Sequence, residues 1–171
     1  INIIRIFDAL NDVRNLQTAI NATKKEGGHV QAAISYTISP VHDIDFFVKL
    51  AKEYENCGAD SICIKDMAGL LIPYEAEKLV KELKKSVKVP IQLHTHYTSG
   101  VASMTYLKAI EAGVDVVDCA LSPFALGTSQ PATEALVKTL EASEFDTGIN
   151  LDALTEISEY FKGYREECLA S

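Results

Sequence analysis

Five times the chain passes from a short apolar run into a longer segment whose apolar residues recur at helical spacing. The short runs predict strands over Ile3–Asp8, His29–Tyr36, Ser61–Lys65, Ile91–His94 and Val114–Cys119. They read as nearly continuously apolar, a pattern expected of parallel strands covered on both faces. The intervening segments carry helix punctuation. Asn11 or Asp12 is placed to cap the first helix and Gly27-Gly28 to end it, and Asp43 and Gly58 serve the second in the same way. Pro73 and Pro131 stand at expected first-turn positions, and Gly113 follows a further helix. A last segment, Leu151–Cys168, reads as a trailing helix.

Alternating βα units specify a parallel sheet, either open and doubly wound or closed as a (β/α)8 TIM barrel. The polar residues favour the barrel. Asp8, Lys65, His94 and His96 stand at the C-terminal ends of three strands, and Thr128 follows a fourth. A barrel brings such ends to one central site, whereas an open sheet gathers only neighbours at its switch point. A complete barrel takes about 250 residues. The 171 residues therefore predict about the last five βα units, a partial barrel over residues 1–150, with 151–171 a trailing helix toward the next domain. Two unpaired barrel edges would invite association, so a homo-oligomer, or pairing with the remaining strands, is expected.

His94 and His96, two apart at a strand end, point to the same side. The plain reading is a pair of ordinary hydrogen-bonded histidines. The alternative is a divalent cation, which satisfies both rings at once. Lys65 ends another strand, and a snorkelling ammonium would explain it. A desolvated lysine can also form a Schiff base with a carbonyl substrate, or take up carbon dioxide as a carbamate, a hard metal ligand. Two adjacent histidines favour the carbamate, because a free ammonium near a dication is repelled. Gly127-Thr128-Ser129-Gln130-Pro131 reads as a turn with hydroxyls at a helix start, for which simple capping is the bland explanation. Tyr36 ends the second strand, to face substrate or merely to pack.

Composition narrows the partners. The chain is 47% hydrophobic with a formal charge of −8 and no cluster of Lys and Arg, which argues against nucleic acid. No run is long and apolar enough to span a bilayer, so no direct membrane insertion is expected. Cys57, Cys63, Cys119 and Cys168 form no Cys-x-x-Cys pair, consistent with a cytoplasmic protein.

Four segments in order, Phe7-Asp8-Ala9-Leu10-Asn11-Asp12, Lys65-Asp66-Met67-Ala68-Gly69-Leu70-Leu71, His94-Thr95-His96-Tyr97-Thr98-Ser99-Gly100 and Gly127-Thr128-Ser129-Gln130-Pro131, resemble the carboxyltransferase domain of biotin-dependent carboxylases and decarboxylases. The run Ala120–Pro131 with Ala132-Thr133-Glu134 most resembles the α subunit of oxaloacetate decarboxylase and the carboxyltransferase subunit of two-subunit pyruvate carboxylase. The resemblance covers essentially the whole chain. It implies biotin-dependent carboxyl transfer between oxaloacetate or pyruvate and carboxybiotin, with biotin carried on a separate domain or subunit. It also implies a divalent metal, zinc first and manganese or cobalt as alternatives, held by carboxylated Lys65, His94 and His96. Thr128 takes the proton-carrier role. Asp8 and Tyr36 are the substrate-binding candidates. The family's fourth ligand, an aspartate, and its keto-acid arginine come from earlier strands that this chain does not include. The enzyme would be cytoplasmic, peripheral to a membrane only through partner subunits. The rivals are a metal-dependent aldolase or Claisen-type lyase on a related barrel, and a non-catalytic fragment serving as scaffold.

Overall fold

The computed structural model describes residues 1–170. Its elements run β1 (Ile3–Phe7), α1 (Val13–Lys25), β2 (His29–Ser35), α2 (Ile44–Asn56), β3 (Ser61–Asp66), α3 (Pro73–Ser86), β4 (Ile91–Thr95), α4 (Ala102–Glu111), β5 (Val116–Val117), a 3-10 turn (Ser122–Phe124), α5 (Thr133–Leu140) and α6 (Leu151–Ala170). The sheet is wholly parallel and follows chain order, β1-β2-β3-β4-β5. Right-handed crossovers between sequential neighbours put every connecting helix on the same face of the sheet. A doubly wound sheet would reverse its order somewhere; this one does not, and it forms five consecutive units of a (β/α)8 barrel.

One-sided covering corrects the reading of the strands as apolar throughout. Along each strand alternate residues face the helices: Ile6; Val30, Ala32 and Ile34; Ile62 and Ile64; Ile91 and Leu93, all buried. They pack against Leu16 and Ile20 of α1, Phe47, Leu50 and Tyr54 of α2, Leu79 and Leu83 of α3, and Tyr106 of α4. The residues between them, Arg5, Gln31, Ser61, Lys65, Gln92 and His94, share the opposite, lumen-facing side. The strands look apolar in sequence because Ala33 and Cys63 also lie on that side.

Local chemistry sets the helix starts. Asp12 accepts from the Arg14 amide at 3.0 Å and Asp43 from the Phe46 amide at 2.8 Å, as N-caps. Asn11 instead staples β1 to β2, donating to the Ser35 carbonyl at 2.9 Å and accepting from the Ser35 amide at 2.8 Å. Pro73 opens α3 as expected. Pro131 does not open a helix: its carbonyl accepts from the Ala120 amide at 3.0 Å, and α5 starts at Thr133. β5 is shorter than its apolar run, though the amides of Asp115 and Asp118 still donate to β4 carbonyls at 2.9 and 3.0 Å.

Candidate functional site at the strand ends

Lys65 and His94 are register partners on β3 and β4, so both side chains stand on the lumen side. His96 lies one residue past β4, its amide donating to the Asp66 carbonyl at 3.0 Å. The two imidazoles meet with Nε2 facing Nε2 at 3.2 Å. Their other nitrogens are committed. His94 Nδ1 donates to Asp118 Oδ2 at 2.8 Å, and His96 Nδ1 to the Thr128 carbonyl at 2.5 Å. A carboxylate and a carbonyl only accept, so each Nδ1 carries a proton, and in the neutral rings each Nε2 presents a lone pair. Two lone pairs at that separation repel unless a cation lies between them. This donor set fits the divalent metal anticipated from the sequence. Among the described residues, no group of three or more His, Cys, Asp or Glu converges on a metal position.

The Lys65 ammonium lies over the Phe7 ring, 3.2 Å from its centroid. Burial, reinforced by the nearby Arg5 guanidinium, holds its pKa below that of an ordinary amine. More of it is therefore neutral, the form that reacts with carbon dioxide or a carbonyl.

The loops under the histidines are tightly built. Asp66, fully buried, accepts from the Leu70 and Leu71 amides at 3.0 and 2.9 Å and from the Thr95 hydroxyl at 2.6 Å. That carboxylate folds Met67–Leu71 back onto β4. Gly69, at φ +66°, sits against His96: a methyl there would lie 2.7 Å from the His96 carbonyl and 3.2 Å from the Ser99 amide nitrogen. The loop carrying Thr128 turns through Leu126 and Gly127, both at positive φ, and its Ser129 carbonyl accepts from the Tyr97 amide at 2.7 Å.

Of the expected site residues, the structure brings His94, His96, Lys65 and the Thr128 backbone to one end of the sheet. The two substrate candidates are placed differently. The Asp8 carboxylate is used within its own loop, accepting from the Leu10 and Asp12 amides and the Asn15 side chain at 2.9–3.0 Å. The Tyr36 ring stacks on Phe47 of α2, 5.2 Å between centroids, on the helix side of the sheet. The main residue that sequence reading missed is Asp118. Burial raises its pKa, but hydrogen bonds from His94 and Arg5 outweigh that and hold it down to about 2. Its position at the end of the last apolar run was the available signal.

Fold and site together define a (β/α)8-barrel protein with its chemistry at the C-terminal ends of the strands. The chain belongs to the HMGL-like family, whose model matches residues 6–161. It is 62% identical to a pyruvate carboxylase subunit of Methanocaldococcus jannaschii over 98% of this chain and 30% of that protein. It is 46% identical to the methylmalonyl-CoA carboxyltransferase 5S subunit of Propionibacterium freudenreichii subsp. shermanii, over 96% of this chain and 33% of that protein. The structure superposes on the carboxyl transferase domain of Rhizobium etli pyruvate carboxylase, solved with pyruvate and biocytin, with a TM-score of 0.95 and 41% identity. That match covers 96% of this chain and 29% of the other. The chain thus spans about a third or less of the relatives it matches.

Proposed function

We propose that the protein containing this chain is a biotin-dependent carboxyltransferase acting on pyruvate or oxaloacetate, its cation held by His94, His96 and a carboxylated Lys65. The observation that carries this reading is the pair of Nε2 atoms facing each other at 3.2 Å, in a chain similar to carboxyl transferase domains over nearly its whole length. A divalent metal, zinc first, would supply positive charge to stabilise an enolate formed from the keto acid. Biotin, carried on another domain or subunit, would supply the nitrogen that accepts or gives the carboxyl group. This chain supplies the rest. His94 and His96 hold the cation, Lys65 in its neutral form adds to carbon dioxide and releases an N–H proton to water, and Thr128 Oγ1 passes a proton while its backbone carbonyl orients His96. Residues 151–171 would lead toward the next domain. Among the described residues no helix is long and apolar enough to cross a membrane; a cytoplasmic enzyme, reaching a membrane only through partner subunits, is part of the same proposal.

The test uses Lys65→Ala in the full-length protein. Metal content and carboxyl transfer should fall together, and neither should return without a replacement carboxylate. Retention of stoichiometric metal would remove Lys65 from the ligand set. Trapping of pyruvate on Lys65 by borohydride would favour a Schiff-base lyase instead.

A further inference from the structure

Below the two histidines, the lumen side of the sheet carries a closed ring of hydrogen bonds. Arg5 Nε donates to Gln31 Oε1 at 2.5 Å. Gln31 Nε2 donates to Gln92 Oε1 at 2.7 Å. Gln92 Nε2 donates to Asp118 Oδ1, and Arg5 Nη1 closes the ring on Asp118 Oδ2 at 2.8 Å. Each amide orientation is forced, because arginine at one end only donates and aspartate at the other only accepts. The backbone of Asp118 is pinned as well. Its amide donates to the Leu93 carbonyl at 3.0 Å, and its own carbonyl accepts from the hydroxyl of fully buried Tyr106 at 2.5 Å. With Oδ1 taken by Gln92, the remaining lone pair on Oδ2 points at His94 Nδ1, 2.8 Å away.

We infer that Asp118, anchored by Gln92 and by its backbone bonds to Leu93 and Tyr106, is a positioning residue. It orients His94 with its Nδ1 proton toward the carboxylate, so that in the neutral ring Nε2 faces the cation shared with His96. The inference rests on the proposed metal-binding role. It differs from the plain structural alternative, in which Asp118 merely neutralises Arg5. Hydrogen-bonded partners of metal-binding histidines typically contribute about 10- to 100-fold in metal affinity.

Cobalt(II) titration of the metal-stripped full-length protein, followed by visible absorption, separates the two roles. Asp118→Asn should weaken cobalt binding by about 10- to 100-fold. Arg5→Gln, which keeps the Asp118–His94 bond, should lower the melting temperature but leave the cobalt Kd within about threefold of wild type. The double variant Arg5→Gln/Asp118→Asn has no uncompensated guanidinium. It should recover thermal stability relative to Asp118→Asn and still bind cobalt weakly, and it gives the same readout should Asp118→Asn alone fail to fold. Near-normal cobalt affinity in Asp118→Asn or in the double variant would overturn the inference and leave Asp118 as a counter-ion. Failure of the wild-type protein to bind cobalt would instead overturn the metal reading itself, and the inference with it.

Discussion

Gly69→Ala is a one-methyl perturbation whose consequence follows from the geometry around His96. Two costs combine. At φ +66° an L side chain meets its own backbone, costing about 1–2 kcal/mol. The new methyl would also lie 2.7 Å from the His96 carbonyl, where ordinary contact begins at 3.4 Å. One of the two backbones must therefore retreat, and overpacking of this kind costs about 1–3 kcal/mol. The sum is about 3 kcal/mol, or roughly 6–12 °C in melting temperature for a domain of this size. Retreat on either side disturbs the contact that seats the backbone of His96, a proposed cation ligand, so metal content should fall together with stability. Gly100→Ala is the control: it has φ +79° but nothing within 4 Å of the added methyl. It should cost only the conformational term of about 1 kcal/mol and keep its metal. Thermal unfolding and elemental analysis of both variants in the full-length protein check this. Equal behaviour of the two would refute the close approach of Gly69 to His96.

Three further outcomes are expected. Thr128→Ala keeps the backbone carbonyl that orients His96, so it should retain metal and melting temperature while carboxyl transfer falls about 10²- to 10⁴-fold; Thr128→Ser should recover much of the rate. Asp66→Ala leaves the Leu70 and Leu71 amides without their buried acceptor and should destabilise by about 3 kcal/mol. Thr95→Val removes the hydroxyl bond to the same carboxylate and its longer contact with the His96 carbonyl, at about 1 kcal/mol, and urea unfolding would expose any reversal of that order. Glu134 joins α6 to the loop before α5, accepting from the Ser158 hydroxyl and the Ser122 amide. Burial raises its pKa, but these bonds outweigh burial and lower it. A depressed carboxyl stabilises above its unfolded pKa and loses that contribution as pH falls through the folded value. Docking of α6 should thus weaken at acid pH, below the ordinary glutamate range. Glu134→Gln should remove this dependence in amide exchange of α6, whereas an unchanged acid transition would assign it to another group.

Periodicity alone determined the five strand–helix units, because burying one stripe of a helix and one face of a strand leaves a repeating mark in the sequence. The same pattern located Asp43 as a cap and Pro73 as a helix start. It also placed Lys65, His94 and His96 at strand ends, since position along an element is a local property. Tertiary structure decided what those residues touch. Sheet order showed that the helices cover only one face, and so exposed the polar lumen hidden among Ala33 and Cys63. Register set His94 beside Lys65, and packing turned Tyr36 toward Phe47. The bonds that orient the two imidazoles come from residues 24 and 32 positions away, Asp118 and Thr128. No local pattern encodes such pairings, because they exist only once parallel strands separated by whole helices lie side by side.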